Sequence, residues 1–295
     1  MNILTFDIEE WFHLLDHPST KYPHQWEGFE SRIHRNMDLI FNILDSQDCK
    51  ATFFCIGWIA KKYPKIIQDI ANRGYEIGSH TTNHKLVYEH TRSSFDADLS
   101  ESIKLLEDLT GNAVKSFRAP GFSITKDNIW AFDVLVENGI EIDSSVFPTN
   151  RSHGGFPEFG TSVPTILEVN GMKLKEFPIN TKNVLGQDLI FSGGGYFRLF
   201  PYYFIDRFMK SSDYVMTYFH PRDFDSKQPL LEDLSLLRRF KSYYGLASTE
   251  NKLNKLLGDF VFYDLDEANK RVSWSNAKVI NLDELFDDKA KKLVG

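Results

Sequence analysis

Short apolar runs alternate with amphipathic segments along most of the chain, and this alternation limits the folds that the chain can adopt. The runs NILTF, ATFFCIG and YEIGS are rich in β-branched and aromatic residues and predict strands. Between the first two runs, apolar residues recur at helical spacing, which predicts a helix through Ile33, Met37, Ile40, Phe41 and Leu44. Strands that alternate with helices pair into parallel sheets, so we expect an α/β protein.

The same pattern continues beyond the third strand, and glycine marks the ends of the helices. The helix predicted from SSFDADLSESIKLLEDLT stops at Gly111. The order loosens between residues 150 and 192, with strand pieces at ILEV and LKEFPI. It resumes with a helix around Ile205 and a strand at YVMTYFHP. We expect a barrel domain at residues 1–228 and a C-terminal helical extension at residues 229–295 that packs on it.

The composition allows a large core and argues against two classes of partner. Of the 295 residues, 42% are hydrophobic, which is ample for one large core. The net charge of −7 argues against nucleic acid, whose phosphates need a basic surface. No apolar run approaches the roughly 20 residues that span a bilayer, so we expect no transmembrane segment.

The first residues, MNILTFDIEEWFH, contain no basic segment followed by a long apolar one, so we do not expect a signal peptide. Cleavage at such a peptide would also remove Asp7, to which a catalytic role is given below. A cytoplasmic location follows as an expectation. Cys49 and Cys55 are too few for a disulfide framework. The oligomeric state is left open.

Charged and polar side chains follow five of the predicted strands at the point where each strand ends. In parallel α/β barrels the carboxyl ends of the strands meet on one face, where function gathers. Asp143, in IEIDSS, is interpreted as a supporting or structural residue rather than a catalytic one. The residues that follow the five strands are Asp7 with Glu9, His80, Arg118, Asp143 and His220.

His80 and His84, in GSHTTNHK, are four residues apart, so one helical turn could present both imidazoles to one ion. This spacing is a weak signal by itself, and the alternative is a pair of solvated loop residues. Asp7 and Glu9 are two apart on a strand and therefore point to the same side. A divalent ion would compensate two carboxylates at the end of an apolar strand, whereas the alternative is a solvated strand end. Two histidines and one carboxylate leave coordination positions open for water, as catalytic metals require.

Five segments occur in the order of a known set of motifs: TFDIE, SHTTNH, RAPGF, DSS and YFHP. With them the chain resembles the polysaccharide deacetylases, the NodB-homology group of carbohydrate esterase family 4. The segments FDIEEWFH, GGGYFRLFP and FHPRDFD resemble most closely the subgroup from exopolysaccharide-biosynthesis loci. The resemblance implies a distorted TIM-like (β/α)7 barrel, one divalent metal ion, and removal of N- or O-acetyl groups from sugars. Zinc is the first expectation for that ion, with cobalt, nickel or iron as alternatives.

The resemblance also implies a role for each matching catalytic residue. Asp7 matches the base, Arg118 the arginine that orients the base, and His220 the acid. A structural ion pair is the alternative for Arg118, and a hydrogen-bonded core histidine is the alternative for His220.

For the metal, the resemblance implies Glu9, His80 and His84 as ligands. Many relatives have adjacent aspartates where this chain has Asp7 and Glu9 in a D-x-E spacing. Glu10 competes with Glu9 for the role, and Glu9 is preferred because it shares the face of Asp7.

Three further residues are expected to contact the substrate. RAPGF departs from the commoner RxPYG form, and we expect the backbone N–H of Gly121 to serve the oxyanion there. Tyr196 and Phe197, in SGGGYFRLF, could stack on the apolar face of a sugar ring. The alternative for this segment is a tight turn before a helix.

The sequence thus predicts a metal-dependent deacetylase whose substrate is an acetylated sugar, nucleotide sugar or glycan. One alternative is a metal-dependent amidohydrolase or deformylase that acts on a small non-sugar amide. The other is a non-catalytic glycan-binding barrel.

Overall fold

The fold is a mixed sheet surrounded by helices, seen in a computed structural model that describes residues 1–15, 17–151, 153–231 and 234–284. The strands are β1 (Asn2–Ile3), β2 (Thr5–Ile8), β3 (Thr52–Cys55), β4 (Glu76–Ser79), β5 (Ser116–Phe117), β6 (Ile142–Asp143), β7 (Thr165–Val169), β8 (Met172–Glu176), β9 (Lys182–Val184), β10 (Gln187–Leu189), β11 (Val215–Met216) and β12 (Lys278–Asn281). The helices are α1 (Pro23–Trp26), α2 (Ile33–Ser46), α3 (Gly57–Lys62), α4 (Pro64–Asn72), α5 (Arg92–Thr110), α6 (Trp130–Glu137), α7 (Gly194–Leu199), α8 (Tyr202–Lys210), α9 (Leu236–Tyr243), α10 (Leu246–Asp259) and α11 (Leu265–Arg271).

Eight strands form the main sheet in the order β12-β7-β8-β6-β5-β4-β3-β2. Pairing is parallel throughout, except for the antiparallel pair of β7 and β8. The N-terminal strands also pair with the segment around β11. Strand β1 pairs with β11, and Phe6 of β2 bridges Phe219. The α/β class and the distorted barrel predicted from the sequence are confirmed.

The helices pack through the apolar faces that the sequence predicted. All five apolar residues that defined the predicted helix α2 are at most 3% exposed. Phe6 and Phe53 stack between adjacent strands with ring centroids 5.3 Å apart. Helix α5 begins at Thr91, whose hydroxyl accepts the N–H of Ser94, and ends at Gly111 with a φ of +69°. That left-handed position is the one at which glycine costs least.

The strand predicted from YVMTYFHP is much shorter than its apolar run. In YVMTYFHP only Val215 and Met216 form a strand, while Tyr218 and Phe219 make isolated bridges. The bridges go to Gly193 and Phe6, two different neighbours, so this segment pairs with the chain on either side instead of with one continuous partner.

The C-terminal residues contribute to the barrel as well as cover it. Strand β12 pairs in parallel with β7, and Tyr263 bridges Ile3. Leu253 and Leu256 of α10 are buried in the main core. The predicted boundary at residue 228 stays a prediction, and residues 285–295 lie outside the described part. Among the described helices, none has the length and apolar character needed to cross a membrane.

Leu99 tests the packing of α5, since it is fully buried while Lys104 lies exposed on the same helix. We expect Leu99→Ala to lower the free energy of unfolding by about 2–5 kcal/mol, through lost burial and a residual cavity. Lys104→Ala should change it by less than about 0.5 kcal/mol. Chemical denaturation measures both, and equal effects would contradict the packing described.

Candidate metal centre

Glu9, His80 and His84 converge at the carboxyl ends of β2 and β4. Glu9 Oε1 lies 3.2 Å from His80 Nε2 and 2.9 Å from His84 Nε2. All three side chains are buried, and their ligand atoms lie within 4.8 Å of one another. One carboxylate and two imidazoles in this arrangement fit a zinc-type ion and leave further positions open.

The loop that carries the two histidines is not the helical turn that the sequence predicted. Thr81 and His84 have φ values of +66° and +51°, in the left-handed region that non-glycine residues rarely adopt. The loop is tied to α5, since Asp98 accepts the N–H of Thr82. Strain of about 1–3 kcal/mol per such residue persists where the surroundings fix the backbone, and functional sites are where it concentrates.

A hydrogen bond orients His80 for ligation. His80 Nδ1 lies 2.6 Å from the carbonyl oxygen of Arg118, so this nitrogen carries the proton and donates it. The Nε2 lone pair is then directed at Glu9. Ligating histidines are commonly fixed in this way by a second hydrogen bond.

Glu10 is directed away from the histidines and supports α2. Its Oε1 accepts the backbone N–H groups of Arg32 and Ile33, at 2.9 and 3.1 Å, and the hydroxyl of Ser31. A carboxylate at a helix N-terminus satisfies donors that have no partner within the helix. Glu9 is therefore the acidic residue that faces the histidines.

The electrostatics also favour an ionised Glu9. Burial raises the pKa of its carboxyl, but its interactions with His84 and His220, together with its hydrogen bonds to His80 and His84, outweigh that effect and hold the pKa well below its usual range. Burial instead raises the pKa of Glu10.

Asp7 is held by Arg118, which is fully buried. Arg118 Nη1 donates to Asp7 Oδ1 at 2.7 Å and to the Thr5 hydroxyl at 2.6 Å. Its Nε and Nη2 donate to the carbonyl and the hydroxyl of Ser144. The guanidinium also lies 4.3 Å from the ring centroid of Phe54, a cation–π contact. These contacts fix one oxygen of Asp7 and leave Oδ2 on the cavity side.

Asp143 supports the backbone next to Arg118 and is not part of the group formed by Glu9, His80 and His84. It accepts the hydroxyl of Ser145, whose oxygen accepts the N–H of Ala119, next to Arg118. Glu176 is buried beside Asp143, and burial together with that negative charge raises the pKa of Glu176 well above its usual range.

His220 faces both carboxylates from the position after Phe219, which makes an isolated bridge to Phe6. Its Nε2 lies 3.8 Å from Asp7 Oδ2 and 3.8 Å from Glu9 Oε1. Burial lowers the pKa of His220, but the charges of Glu9, Asp223 and Asp7 outweigh it and raise the pKa to about 9.

Asp223 is a site residue that the sequence reasoning missed. Its Oδ2 lies 3.2 Å from His220 Nδ1, and its Oδ1 lies 3.2 Å from Arg198 Nε. The available signal was the acidic residue three positions after His220 in HPRD, where the chain turns through a short 3-10 helix (Pro221–Phe224).

A cavity of about 580 Å³ opens onto Asp7, Glu9, His84 and His220. Gly121 and Tyr196 also line it, and Tyr196 is 44% exposed. Their contacts with substrate stay predictions.

Phe197 does not fit its predicted role in stacking on a sugar. It is 1% exposed and packs against Phe219, with ring centroids 5.0 Å apart. GGYFRL forms helix α7, so neighbouring residues point in different directions, Tyr196 outward and Phe197 into the core.

Gly121 is required by the backbone at its position. Its φ is +62°, and a Cβ there would meet Leu15 Cδ1 at 2.7 Å and Leu86 Cδ2 at 3.0 Å. A residue with a side chain would strain the backbone at this left-handed position.

Two family models match the chain. Residues 19–139 match the polysaccharide deacetylase model, and residues 144–270 match a domain of unknown function, DUF3473. The first match contains His80, His84 and Arg118, and the second contains His220. The models meet near residue 140, whereas the division predicted from the sequence lies at residue 228.

Curated relatives match over part of their length. A peptidoglycan-N-acetylglucosamine deacetylase from Bacillus cereus is 28% identical over 117 residues, which is 36% of this chain and 42% of the relative. A chitooligosaccharide deacetylase from Azorhizobium caulinodans is 35% identical over 82 residues, which is 28% of this chain and 39% of the relative. Each match thus spans about two fifths of the relative.

One solved structure matches nearly the whole chain. It is a Mycobacterium smegmatis protein described as a polysaccharide deacetylase, with a TM-score of 0.65 and 18% identity. The match covers 94% of this chain and 91% of that one. At this identity the likeness establishes a shared fold.

The two adjacent glutamates give a direct test of the metal centre. We expect Glu9→Gln to weaken metal binding at least about 100-fold, because an uncharged amide replaces a ligand. Glu10→Gln should keep the ion, because its amide oxygen can still accept the N–H groups at the start of α2. Metal content after dialysis, measured by plasma mass spectrometry, distinguishes the two. Loss of metal only in Glu10→Gln would overturn the assignment.

Proposed function

Because the chain carries a polysaccharide deacetylase domain of the NodB type, we propose that it is a metal-dependent hydrolase that removes acetyl groups from a sugar or polysaccharide precursor. N-acetyl groups are the first candidates and O-acetyl groups the second. One observation carries the proposal: Glu9, His80 and His84 form a buried group that could hold a metal ion, beside an Arg118-bound Asp7 and beside His220. Surface- or exopolysaccharide synthesis and a cytoplasmic location stay predictions from the sequence.

Glu9, His80 and His84 would hold the ion. When bound, a divalent ion lowers the pKa of water and polarises the acyl carbonyl. Zinc suits two imidazoles and a carboxylate, as do cobalt, nickel and iron.

Asp7 is the proposed base. Arg118 fixes Oδ1, so Oδ2 is the oxygen that can take a proton from the attacking water. The contacts of Arg118 with Thr5 and Ser144 keep this carboxylate oriented without any rearrangement during the reaction. Proton transfer by a positioned group of this kind contributes about 10²–10⁴-fold in rate.

His220 is the proposed acid. An amide nitrogen leaves poorly as an anion, so a proton must reach it as the C–N bond breaks. His220 Nδ1 is held by Asp223, which directs Nε2 toward the reacting groups. The carboxylates of Glu9, Asp223 and Asp7 raise the pKa of this imidazole, which favours the protonated form that can donate.

Gly121 and Tyr196 are the proposed substrate contacts. The backbone N–H of Gly121 would stabilise the oxyanion, and loss of such a donor typically costs about 3–4 kcal/mol of barrier. Tyr196 lies exposed on the cavity wall, where its ring can stack on a sugar.

Acetate release tests the proposal. Metal-stripped protein restored with zinc or cobalt should release acetate from oligomers of N-acetylglucosamine or from O-acetylated sugars, and His80→Ala should not. Formate release, or turnover only of small non-sugar amides, would favour the amidohydrolase alternative. Glycan binding without turnover in any metal would favour a non-catalytic barrel. Full activity in both stripped protein and His80→Ala would contradict metal dependence.

The partnership of Asp223 with His220 predicts a shift in pH dependence. The deacetylation rate should fall on the alkaline side as His220 loses its proton, between its usual pKa of 6.5 and about 9. A cation bound beside Glu9 opposes the increase in the pKa of His220. The alkaline fall in rate should therefore have its midpoint below pH 9. Asp223→Asn removes a negative charge, lowers the pKa of His220 and should move the alkaline limb to lower pH.

Asp225→Asn is the matched control for this shift, because Asp225 pairs with Arg32 instead of His220. Its pH profile should coincide with that of the unaltered protein. An alkaline limb that does not move in Asp223→Asn would rule out this pairing as the source of the elevated pKa.

A further inference from the structure

The cavity over the metal centre carries an excess of cationic side chains, although the protein has a net charge of −7. Among the described residues, three that line the cavity carry carboxylates: Asp7, Glu9 and Asp223. Five described residues that line it are cationic: Arg151, Arg198, Arg222, Arg238 and Lys241. Cationic side chains therefore outnumber carboxylates among the described residues of the lining.

The three carboxylates are already engaged by other groups. Asp7 is paired with Arg118, which lies behind the cavity wall. Glu9 faces the two histidines, and Asp223 is bound by Arg198 and His220. Their charges are thus balanced without the other cationic residues of the cavity.

One guanidinium nitrogen of Arg222 lacks a hydrogen-bond acceptor among the described residues. The residue is 8% exposed, and its buried Nη2 has no hydrogen-bond partner among the described residues. A buried charged donor without a partner is costly, more so beside a second guanidinium, that of Arg198. Arg222 lies two residues after His220, so an acceptor bound there would be next to the reacting groups.

Arg151 and Lys241 line the same cavity. The Arg151 guanidinium lies over the rings of Phe147 and Phe122, at 4.4 and 4.9 Å, and its buried Nη1 also lacks a hydrogen-bond partner in the described part of the chain. Lys241 is exposed on α9 and makes no ion pair with any described carboxylate. Stacking holds the Arg151 guanidinium flat while its N–H groups stay available.

We propose that Arg222, Arg151 and Lys241 form a subsite for an oxyanion carried by the substrate, either a phosphate or a carboxylate. This inference rests on the proposed deacetylase function and narrows its substrate to an acetylated glycan or sugar that is anionic. Guanidinium groups bind both kinds of oxyanion through paired N–H donors. A neutral glycan would bring no negative charge to Nη2 of Arg222, which has no hydrogen-bond partner among the described residues.

The first test measures binding and does not need turnover. Methyl phosphate and glucuronate are titrated calorimetrically into metal-loaded protein, Arg222→Gln, Arg222→Lys and the surface control Lys65→Gln. We expect Arg222→Gln to weaken binding of one probe roughly tenfold or more. Arg222→Lys should retain part of the affinity, and Lys65→Gln all of it. The probe that loses affinity identifies phosphate or carboxylate as the group recognised.

The second test compares substrates. The ratio of kcat/KM for an anionic N-acetylated sugar to that for a neutral one should fall roughly tenfold or more in Arg222→Gln. Salt should raise the KM of the anionic substrate more than that of the neutral one. Melting temperatures check that the variants are folded.

The outcomes separate the two proposals. If no substrate releases acetate but the probes still bind through Arg222, the deacetylase function fails while the oxyanion subsite stands. If both probes bind the unaltered protein and Arg222→Gln equally, or bind neither, the subsite is wrong. An unchanged substrate ratio in Arg222→Gln would also overturn it.

Discussion

One buried arginine connects the two halves of the site. Arg118 donates to Asp7 through its guanidinium and accepts from His80 through its carbonyl oxygen. A single residue thereby orients the proposed base and one proposed metal ligand. Burying a guanidinium is expensive unless its donors are satisfied, and here hydroxyl and carbonyl oxygens of Thr5 and Ser144 accept the remaining N–H groups. The segment that follows β6 thus helps to position Asp7 of β2 through Arg118.

Parallel strands explain how distant residues meet in this way. Strands β2 to β6 lie side by side, so their carboxyl ends share one edge of the barrel. Four of these strands place side chains of the site at this edge. The carboxylates lie at the end of β2, a histidine follows β4, the arginine follows β5, and the supporting serines follow β6. The distortion of the barrel matters as well, because the short pairing at Phe219 turns His220 toward Asp7 and Glu9.

The spacing of residues along the sequence was enough to predict the parts of the fold and site that depend on regular strands and helices. The two-residue alternation of a strand placed Asp7 and Glu9 on one side, and the helical spacing of apolar residues located α2. The loop of His80 and His84 could not be predicted, because left-handed residues such as Thr81 leave no periodic signal. The role predicted for Phe197 was wrong because helix α7 directs this side chain into the core. The glycine-rich start of that helix resembles a turn in the sequence. Asp223 was missed because its contact with His220 depends on the turn that the chain makes after His220, which the sequence pattern does not reveal.

The central claim is that Glu9, His80 and His84 together hold one divalent ion beside Asp7. Anomalous scattering from crystals of the protein loaded with zinc or cobalt tests it most directly. The account predicts one strong peak about 2.0–2.2 Å from Glu9 Oε1 and from both Nε2 atoms. A peak bound elsewhere on the chain, with none among these three side chains at full metal loading, would contradict it.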